Sequence, residues 1–286
     1  MMQVMFESRP DLFLQQVGGH LLPFQAEHNL ILSMCEAAQK RLAKGQPAAI
    51  SLMRFYNDAG YVMSGAQVPG MNLVLSRAQD VDFSALVDTL VRLQASFPGV
   101  VGPSNVASSF INDWQKATQT EAYEYMDQII YALTAVTPVR ATEGKMRPAA
   151  LSEHAVIADW MRAFAKETLP KTEHMDGTAA EKRAAEMIAD GRAYVWDVKG
   201  QPVSLATSGG TAAAARIGSV FTPEKFRGQG YASAIVAALS QKKLHDGAKL
   251  CCLYADARNT VSNSIYRKIG YEFTGRSSYY VLKAAA

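Results

Sequence analysis

The chain has 286 residues, 49% hydrophobic and 19% charged, with 29 basic against 26 acidic side chains and a net charge of +3. Two globular domains of about 140 residues each are the natural expectation for that length. The charge is small and scattered, which argues against a nucleic-acid partner, and no apolar run is long enough to span a bilayer. Glu7, Arg9 and Asp11 interrupt any apolar signal core, so a cytoplasmic protein is expected. The three cysteines do not make a disulfide framework; Cys251 and Cys252 are adjacent in a predicted strand and point to opposite faces. The five histidines lack metal-ligand spacing, so no metal is expected.

In the first half, the periodicity predicts a helix over 27–44 and strands over 48–55, 61–66 and 73–76. An amphipathic helix follows over 83–97, then a strand at Val100-Val101, a helix over 104–116 and a strand over 126–136. Between Ser76 and Asp82 the chain has no glycine but carries Asp80 and Asp82, which would repel a phosphate. Residues 137–144 hold a proline, a glycine and polar residues between apolar segments, and mark the predicted boundary. The division is 1–138 and 144–286.

The second half begins with a strand at 145–147 and a helix that Ser152 is placed to cap. Thr178-Ala-Ala-Glu181 is a capping-box signature for a second helix, ending near Gly191. A hairpin over 193–198 and 203–207 precedes a strand over 213–221 and a helix to Asp246. A strand over 250–255, a helix over 261–269 stopped by Gly270, and a last strand over 279–282 complete the order β-α-α-β-β-β-α-β-α-β.

Arg216 to Ala232, RIGSVFTPEKFRGQGYA, is a strand and a glycine-punctuated turn opening into a helix. Such a turn leaves backbone N–H groups unpaired at the positive end of a helix dipole. Gly228 and Gly230 let the chain bend and let an anion approach without meeting a Cβ. It reads as a phosphate grip that is neither a P-loop nor a GxGxxG dinucleotide turn.

Arg227-x-x-Gly230-x-Ala232 resembles the acetyl-CoA pyrophosphate loop of the GNAT (GCN5-related N-acetyltransferase) superfamily. Asn259-x-x-Ser262-x-x-x-Tyr266-x-x-x-Gly270-Tyr271 resembles that family's second cofactor motif and its tyrosine. The resemblance implies an α/β fold of two tandem GNAT-like domains, each a mixed, mostly antiparallel sheet flanked by helices, the first degenerate and without a phosphate loop. It implies an N-acetyltransferase that uses acetyl-CoA as co-substrate and a primary amine as acceptor.

The resemblance also assigns the site. Val220, Phe221 and Thr222 form a bulged strand end whose backbone meets the pantetheine arm and thioester. Arg227, Gly228, Gln229, Gly230, Tyr231 and Ala232 grip the pyrophosphate mainly through backbone N–H groups, although the Arg227 side chain could also reach phosphate. Tyr266 is either the general acid that protonates the departing thiolate or a packed aromatic. Asn259 either contacts the cofactor arm or caps the helix that follows. The strand before the turn has no acid, so the general base is unassigned; Glu224 and Asp256 are the nearest carboxylates in sequence. The competing readings are an acyl-CoA-binding sensor without turnover and a purely structural interaction protein.

Overall fold

The computed structural model describes residues 2–78 and 81–283. The chain forms two compact units, the first Met1–Ile130 with Ala255–Arg258 and Phe273–Ala286, the second Tyr131–Tyr254 with Asn259–Glu272.

The first unit contains strands β1 (Gln3–Glu7), β2 (Ser51–Asn57), β3 (Gly60–Gln67), β4 (Leu73–Leu75), β5 (Gly99–Pro103) and β6 (Ala122–Leu133, its last three residues in the second unit). Its helices are α1 (Pro10–Leu21), α2 (Asn29–Ala43), α3 (Phe83–Arg92) and α4 (Ser104–Thr118). The strands run in the order β1-β2-β3-β4-β5. Neighbours are antiparallel except β4 and β5, which pair in parallel through Leu73–Val100 and Val74–Val101.

Alternation along the strands sends side chains to two apolar layers. Met53, Phe55 and Met63 pack with Leu86, Val87 and Leu90 of α3 and with Phe110 and Trp114 of α4. Leu52 and Ala66 face the other way, against Phe13, Val17 and Leu21 of α1 and Ile31, Leu32 and Cys35 of α2. The sheet is therefore covered on both faces.

The second unit contains β7 (Lys145–Pro148), α5 (His154–Thr168), α6 (Gly177–Ala189), β8 (Ala193–Val198), β9 (Gln201–Gly210), β10 (Ala214–Phe221), α7 (Tyr231–His245), β11 (Leu250–Asp256) and α8 (Thr260–Ile269). Its strand order is β11-β10-β9-β8-β7, with β10 and β11 parallel and the other pairs antiparallel. Ala193, Val195 and Leu205 pack under Ile157, Ala158 and Met161 of α5 and Ala180, Ala184 and Met187 of α6. The intervening Tyr194 turns to the other face, where Lys243 of α7 lies over its ring. Like the first unit, this one places a parallel strand pair beside antiparallel strands, with a helix following each parallel strand. The mixed, mostly antiparallel architecture expected from the sequence is observed.

Several expectations need correction. Strand β12 (Glu272–Leu282) is longer than predicted, and it pairs antiparallel with β5 through residues 277–281. Residues 273–286 therefore count with the first unit, whereas a division at 138 and 144 assigns them to the second. The amphipathic helix expected to reach residue 97 ends at Arg92, and Gln94 takes a left-handed φ of 53°. Ser152 does not cap α5; it lies in a 3₁₀ turn, Leu151–Glu153, where the Glu153 carboxylate accepts from the Ala150 N–H. Helix α6 is capped by Asp176, which accepts from the Ala179 N–H, rather than by Thr178. Strand β1 and helix α1 carried no clear sequence signal, because Gly18 and Gly19 dilute the helical pattern and β1 is half exposed. Of the turn between β4 and α3, Gln79 and Asp80 lie outside the described residues.

Candidate active site

Strand β10 pairs with β11 only at Ala214–Leu250, Ala215–Cys251 and Arg216–Cys252, although β10 continues to Phe221. Beyond Arg216 its β11-facing edge runs without a strand partner, an opening between two diverging parallel strands. On its other side β10 carries a bulge: Gly218 pairs with Thr207 and Phe221 with Leu205, so three steps on β10 span two on β9. Ser219 inside it has φ 43°, a left-handed conformation that costs a non-glycine residue about 1–3 kcal/mol. The bulge therefore begins at Ser219, ahead of the Val220-Phe221-Thr222 segment expected to hold it.

The residues at the end of β10 are fixed from several sides. Phe221 is buried and its ring lies 6.4 Å from that of Trp160 on α5. The Thr222 hydroxyl meets the Ser204 hydroxyl at 2.8 Å. The Ser204 hydroxyl also donates to the Phe221 carbonyl at 3.2 Å, and the Thr207 hydroxyl donates to the Gly218 carbonyl at 2.9 Å. Ser204 and Thr207 were not singled out from the sequence, because their reach depends on a register that only the bulge sets.

After a short 3₁₀ turn at Glu224–Phe226 the chain enters the glycine turn. Gly228 and Gly230 have φ of 79° and 85°, so both glycines stand where an L side chain is strained. Gly230 is the N-cap of α7, and no side chain caps that helix. The α7 N-terminus thus offers backbone donors with no internal acceptor, in a 15-residue helix whose dipole adds positive potential. A Cβ at Gly230 would stand 3.0 Å from the Thr142 hydroxyl, so the segment leading into β7 borders the turn.

The side chains of the turn are occupied elsewhere. Arg227 donates from Nε to the Thr222 carbonyl at 2.9 Å and from Nη2 to both oxygens of Glu167 at 2.8 and 3.0 Å. Tyr231 is buried and its hydroxyl donates to the side-chain oxygen Oε1 of Gln229 at 3.0 Å. What Arg227 to Ala232 present together is backbone.

Tyr266 lies on α8, which packs against α7. Its ring stands 6.2 Å from that of Tyr131 and 6.1 Å from that of Tyr271. Burial among these rings pushes its phenol up to about 12. Tyr271 is anchored differently, sharing a 2.8 Å hydrogen bond with Ser240 of α7. Asn259 is the N-cap of α8, its side-chain oxygen accepting from the Ser262 N–H at 3.0 Å. Glu224 is exposed, and Asp256 is held by Arg258. Trp196 is buried, with its indole N–H donated to the Glu143 carbonyl at 2.8 Å. Among the described residues no group of three or more His, Cys, Asp or Glu side chains could hold a metal ion. No helix there is long and apolar enough to cross a membrane.

Residues 198–281 match the FR47-like protein family. No curated protein matches the sequence. Solved structures match nearly the whole chain at low identity. A Drosophila protein is 10% identical with a TM-score of 0.68, covering 100% of this chain and 99% of that one. A GCN5-related N-acetyltransferase from Sphaerobacter thermophilus is 15% identical with a TM-score of 0.58, covering 97% and 94%. A tandem GNAT protein from the clavulanic acid biosynthesis pathway is 12% identical with a TM-score of 0.53, covering 100% and 99%. The chain has the GNAT fold, so the resemblance read from its sequence is borne out at the level of the fold.

Proposed function

We propose that this GNAT-fold chain is a cytoplasmic acetyltransferase that moves an acetyl group from acetyl-CoA to a primary amine by direct attack. One observation carries the reading: an uncapped helix N-terminus behind two left-handed glycines, at the foot of an opening between parallel strands. Backbone donors at such a terminus suit a diphosphate, and a bulky side chain at either glycine would obstruct them. The free edge of β10 suits the amides of the pantetheine arm, which can pair with backbone as a strand would. The three free, buried cysteines accord with a reducing compartment.

Acetyl-CoA would supply an activated acyl carbon. In this reading the amine nitrogen bonds to that carbon, the carbon–sulfur bond breaks, and the Tyr266 hydroxyl gives its proton to the departing sulfur. The amine releases its surplus proton to water, from which Tyr266 recovers its own. The raised phenol of Tyr266 keeps it protonated across the neutral range, as a donor must be. Val220, Phe221 and Thr222 supply the strand end, and Arg227 to Ala232 the phosphate turn. Asn259, whose oxygen caps α8, has its amide nitrogen for the cofactor arm.

The second reading, an acyl-CoA sensor without turnover, draws on a specific feature. Strand β10 carries no carboxylate from Ala214 to Phe221, so no side chain of that strand can take the amine's proton. Calorimetric titration with acetyl-CoA, followed by assay of thiol release with a panel of amines, separates the possibilities. One bound acetyl-CoA per chain and amine-dependent thiol release are expected. Binding without release would favour the sensor, and no binding would sink both readings.

A further inference from the structure

The bulge in β10 is gripped at both ends by hydroxyl groups of one neighbouring strand. Thr207 holds the carbonyl of Gly218, just before the left-handed Ser219, at 2.9 Å. Ser204 holds the carbonyl of Phe221, just after it, at 3.2 Å and touches the Thr222 hydroxyl at 2.8 Å. Both side chains are nearly inaccessible, at 5% for Thr207 and 0% for Ser204. Their positions on β9 are three apart, so strand alternation places them on opposite faces of the sheet. Thr207 shares its face with Leu205 under α5 and α6, and Ser204 faces the α7 side. The bulge is thus clamped from both faces.

The consequence follows from peptide geometry. In a trans peptide the carbonyl and the N–H of the same plane point in opposite directions. A Gly218 carbonyl turned toward Thr207 therefore directs the Ser219 N–H away from β9. A Phe221 carbonyl turned toward Ser204 does the same for the Thr222 N–H. Away from β9 lies the edge of β10 that β11 no longer pairs beyond Arg216. With those carbonyls unbound, the two peptide planes could rotate, and a bulge with a non-glycine residue at φ 43° would relax toward an ordinary conformation.

We propose that Thr207 and Ser204 are positioning residues that fix these two peptide planes so that the Ser219 and Thr222 N–H groups face the acyl carbonyl. The proposal rests on the acetyl-CoA reading above and assigns to two strand hydroxyls the task of holding donors they do not themselves supply. Preorganised donors act on a carbonyl only if they cannot turn away from it. A hydroxyl that merely satisfied a buried carbonyl would matter for folding and nothing else, which gives the proposal a clear alternative.

The experiment compares acetyl-CoA with CoA by calorimetry on the full chain, because only acetyl-CoA carries the carbonyl in question. Thr207→Val keeps the shape and deletes the hydroxyl; Thr207→Ser restores it; Ser204→Ala tests the other end. In the wild type, acetyl-CoA should bind more tightly than CoA by about fivefold, the worth of one ordinary hydrogen bond. Thr207→Val should erase that preference while leaving CoA affinity within about twofold, and Thr207→Ser should bring it back. Ser204→Ala should reduce the preference and keeps the test alive if the valine variant does not fold. A preference unchanged in both deletion variants, or equal weakening of both ligands, would overturn the clamp. A wild type that binds neither ligand overturns the acetyl-CoA reading itself, and a wild type that binds both equally overturns only the clamp.

Discussion

The two units place the same element at the same point and finish it in opposite ways. In each, the inner strand of a parallel pair leads through a turn into a helix: β4 into α3 in the first, β10 into α7 in the second. Helix α3 is capped by its own chain, the Asp82 carboxylate accepting from the Ala85 N–H and the Ser84 hydroxyl. Those bonds hold the Asp82 carboxyl below its ordinary range, so it stays charged where a phosphate would have to sit. Helix α7 has Gly230 at the same place and no side-chain cap. A carboxylate occupies the N-terminus of one helix, and a left-handed glycine leaves that of the other without a side-chain cap.

The strand ends differ too. After β4, the Ser76 N–H bonds the Ser64 carbonyl at 2.9 Å, and the Ser76 hydroxyl accepts from the Ser64 N–H at 2.8 Å. The ladder of the first unit is thereby completed by a serine, whereas β10 bulges. A cavity of about 260 Å³ remains in the first unit beside Arg77, Glu27, Ser104 and Gly275. Arg77 and Glu27, both lining it, form an ion pair at 3.0 Å, and Glu27 packs directly on Gly275. Burial raises the Glu27 carboxyl against the opposing pull of Arg77. This is a cleft provided with its own ion pair, in contrast to the exposed backbone donors of the second unit.

The largest expected effect lies at the seventh residue of the last helix. Counted from the helix start, Tyr266 in α8 corresponds to Phe110 in α4. Phe110 is fully buried against Trp114, so the first unit has the ring without the hydroxyl. Tyr266→Phe makes the second unit match the first at this position. Turnover should fall by roughly 10²- to 10⁴-fold with acetyl-CoA affinity nearly unchanged, as for removal of a positioned proton donor. Equal turnover would make Tyr266 a packing residue, as Phe110 is.

Next comes the turn itself. Gly230→Val forces a side chain onto φ 85° and into the Thr142 hydroxyl, and should weaken acetyl-CoA binding by about 100-fold or more. Gly228→Val meets only the strain of φ 79°, with nothing within 4 Å, and should cost about tenfold. Titration of both variants measures the difference, and equal losses would mean that Thr142 yields freely. The reciprocal change, Asp82→Ala, uncaps α3 and should cost about 1 kcal/mol of stability, read by denaturant unfolding. It should not create a second acetyl-CoA site, since that turn has no glycine and its lining Glu27 carboxylate remains. Two molecules bound per chain in that variant would show that the cap alone had kept the first unit closed.

These contrasts explain what the sequence displayed and what it hid. The glycine turn was legible because φ above zero leaves a residue-type signature at Gly228 and Gly230. The order of elements in the second half was legible from periodicity, since α5 keeps an apolar stripe and β8 a run of buried residues. The partner of β12 was not, because a strand's own residues do not say which edge it joins; Ser277 to Val281 find Gly99 to Pro103 about 180 positions earlier. The cap at Asp176 was misassigned because Thr and Asp satisfy the same local rule and geometry chooses between them, while Ser152 falls in a 3₁₀ turn ahead of α5, whose N-cap Glu153 makes no side-chain cap bond. The hydroxyls of Ser204 and Thr207 carried no signal at all, since their function depends on a register that slips at the bulge.

The smallest effect concerns a feature that both units share. Each has an arginine just past the inner parallel strand, Arg77 and Arg227, and each arginine is tied to a glutamate. Arg77 also lies over the Phe24 ring at 4.1 Å, and Arg227 stands 5.9 Å from the Phe221 ring. In the first unit this pair lines a cleft without a phosphate turn, so in the second it reads as scaffolding for the loop rather than as a phosphate ligand. The Arg227 and Glu167 side chains are 49% and 51% exposed, and an ion pair so placed contributes at most about 1 kcal/mol. Arg227→Ala should therefore weaken acetyl-CoA binding by only about two- to fivefold, through loss of the Thr222 carbonyl contact that steadies the turn. Glu167→Gln should cost no more. A phosphate ligand would behave otherwise: removing it would cost well above tenfold, and freeing it from Glu167 would tighten binding. Calorimetry on the two variants at two salt concentrations distinguishes these cases. A large loss for Arg227→Ala together with a gain for Glu167→Gln would move the guanidinium into the phosphate grip, and the likeness between the two arginines would then be one of position alone.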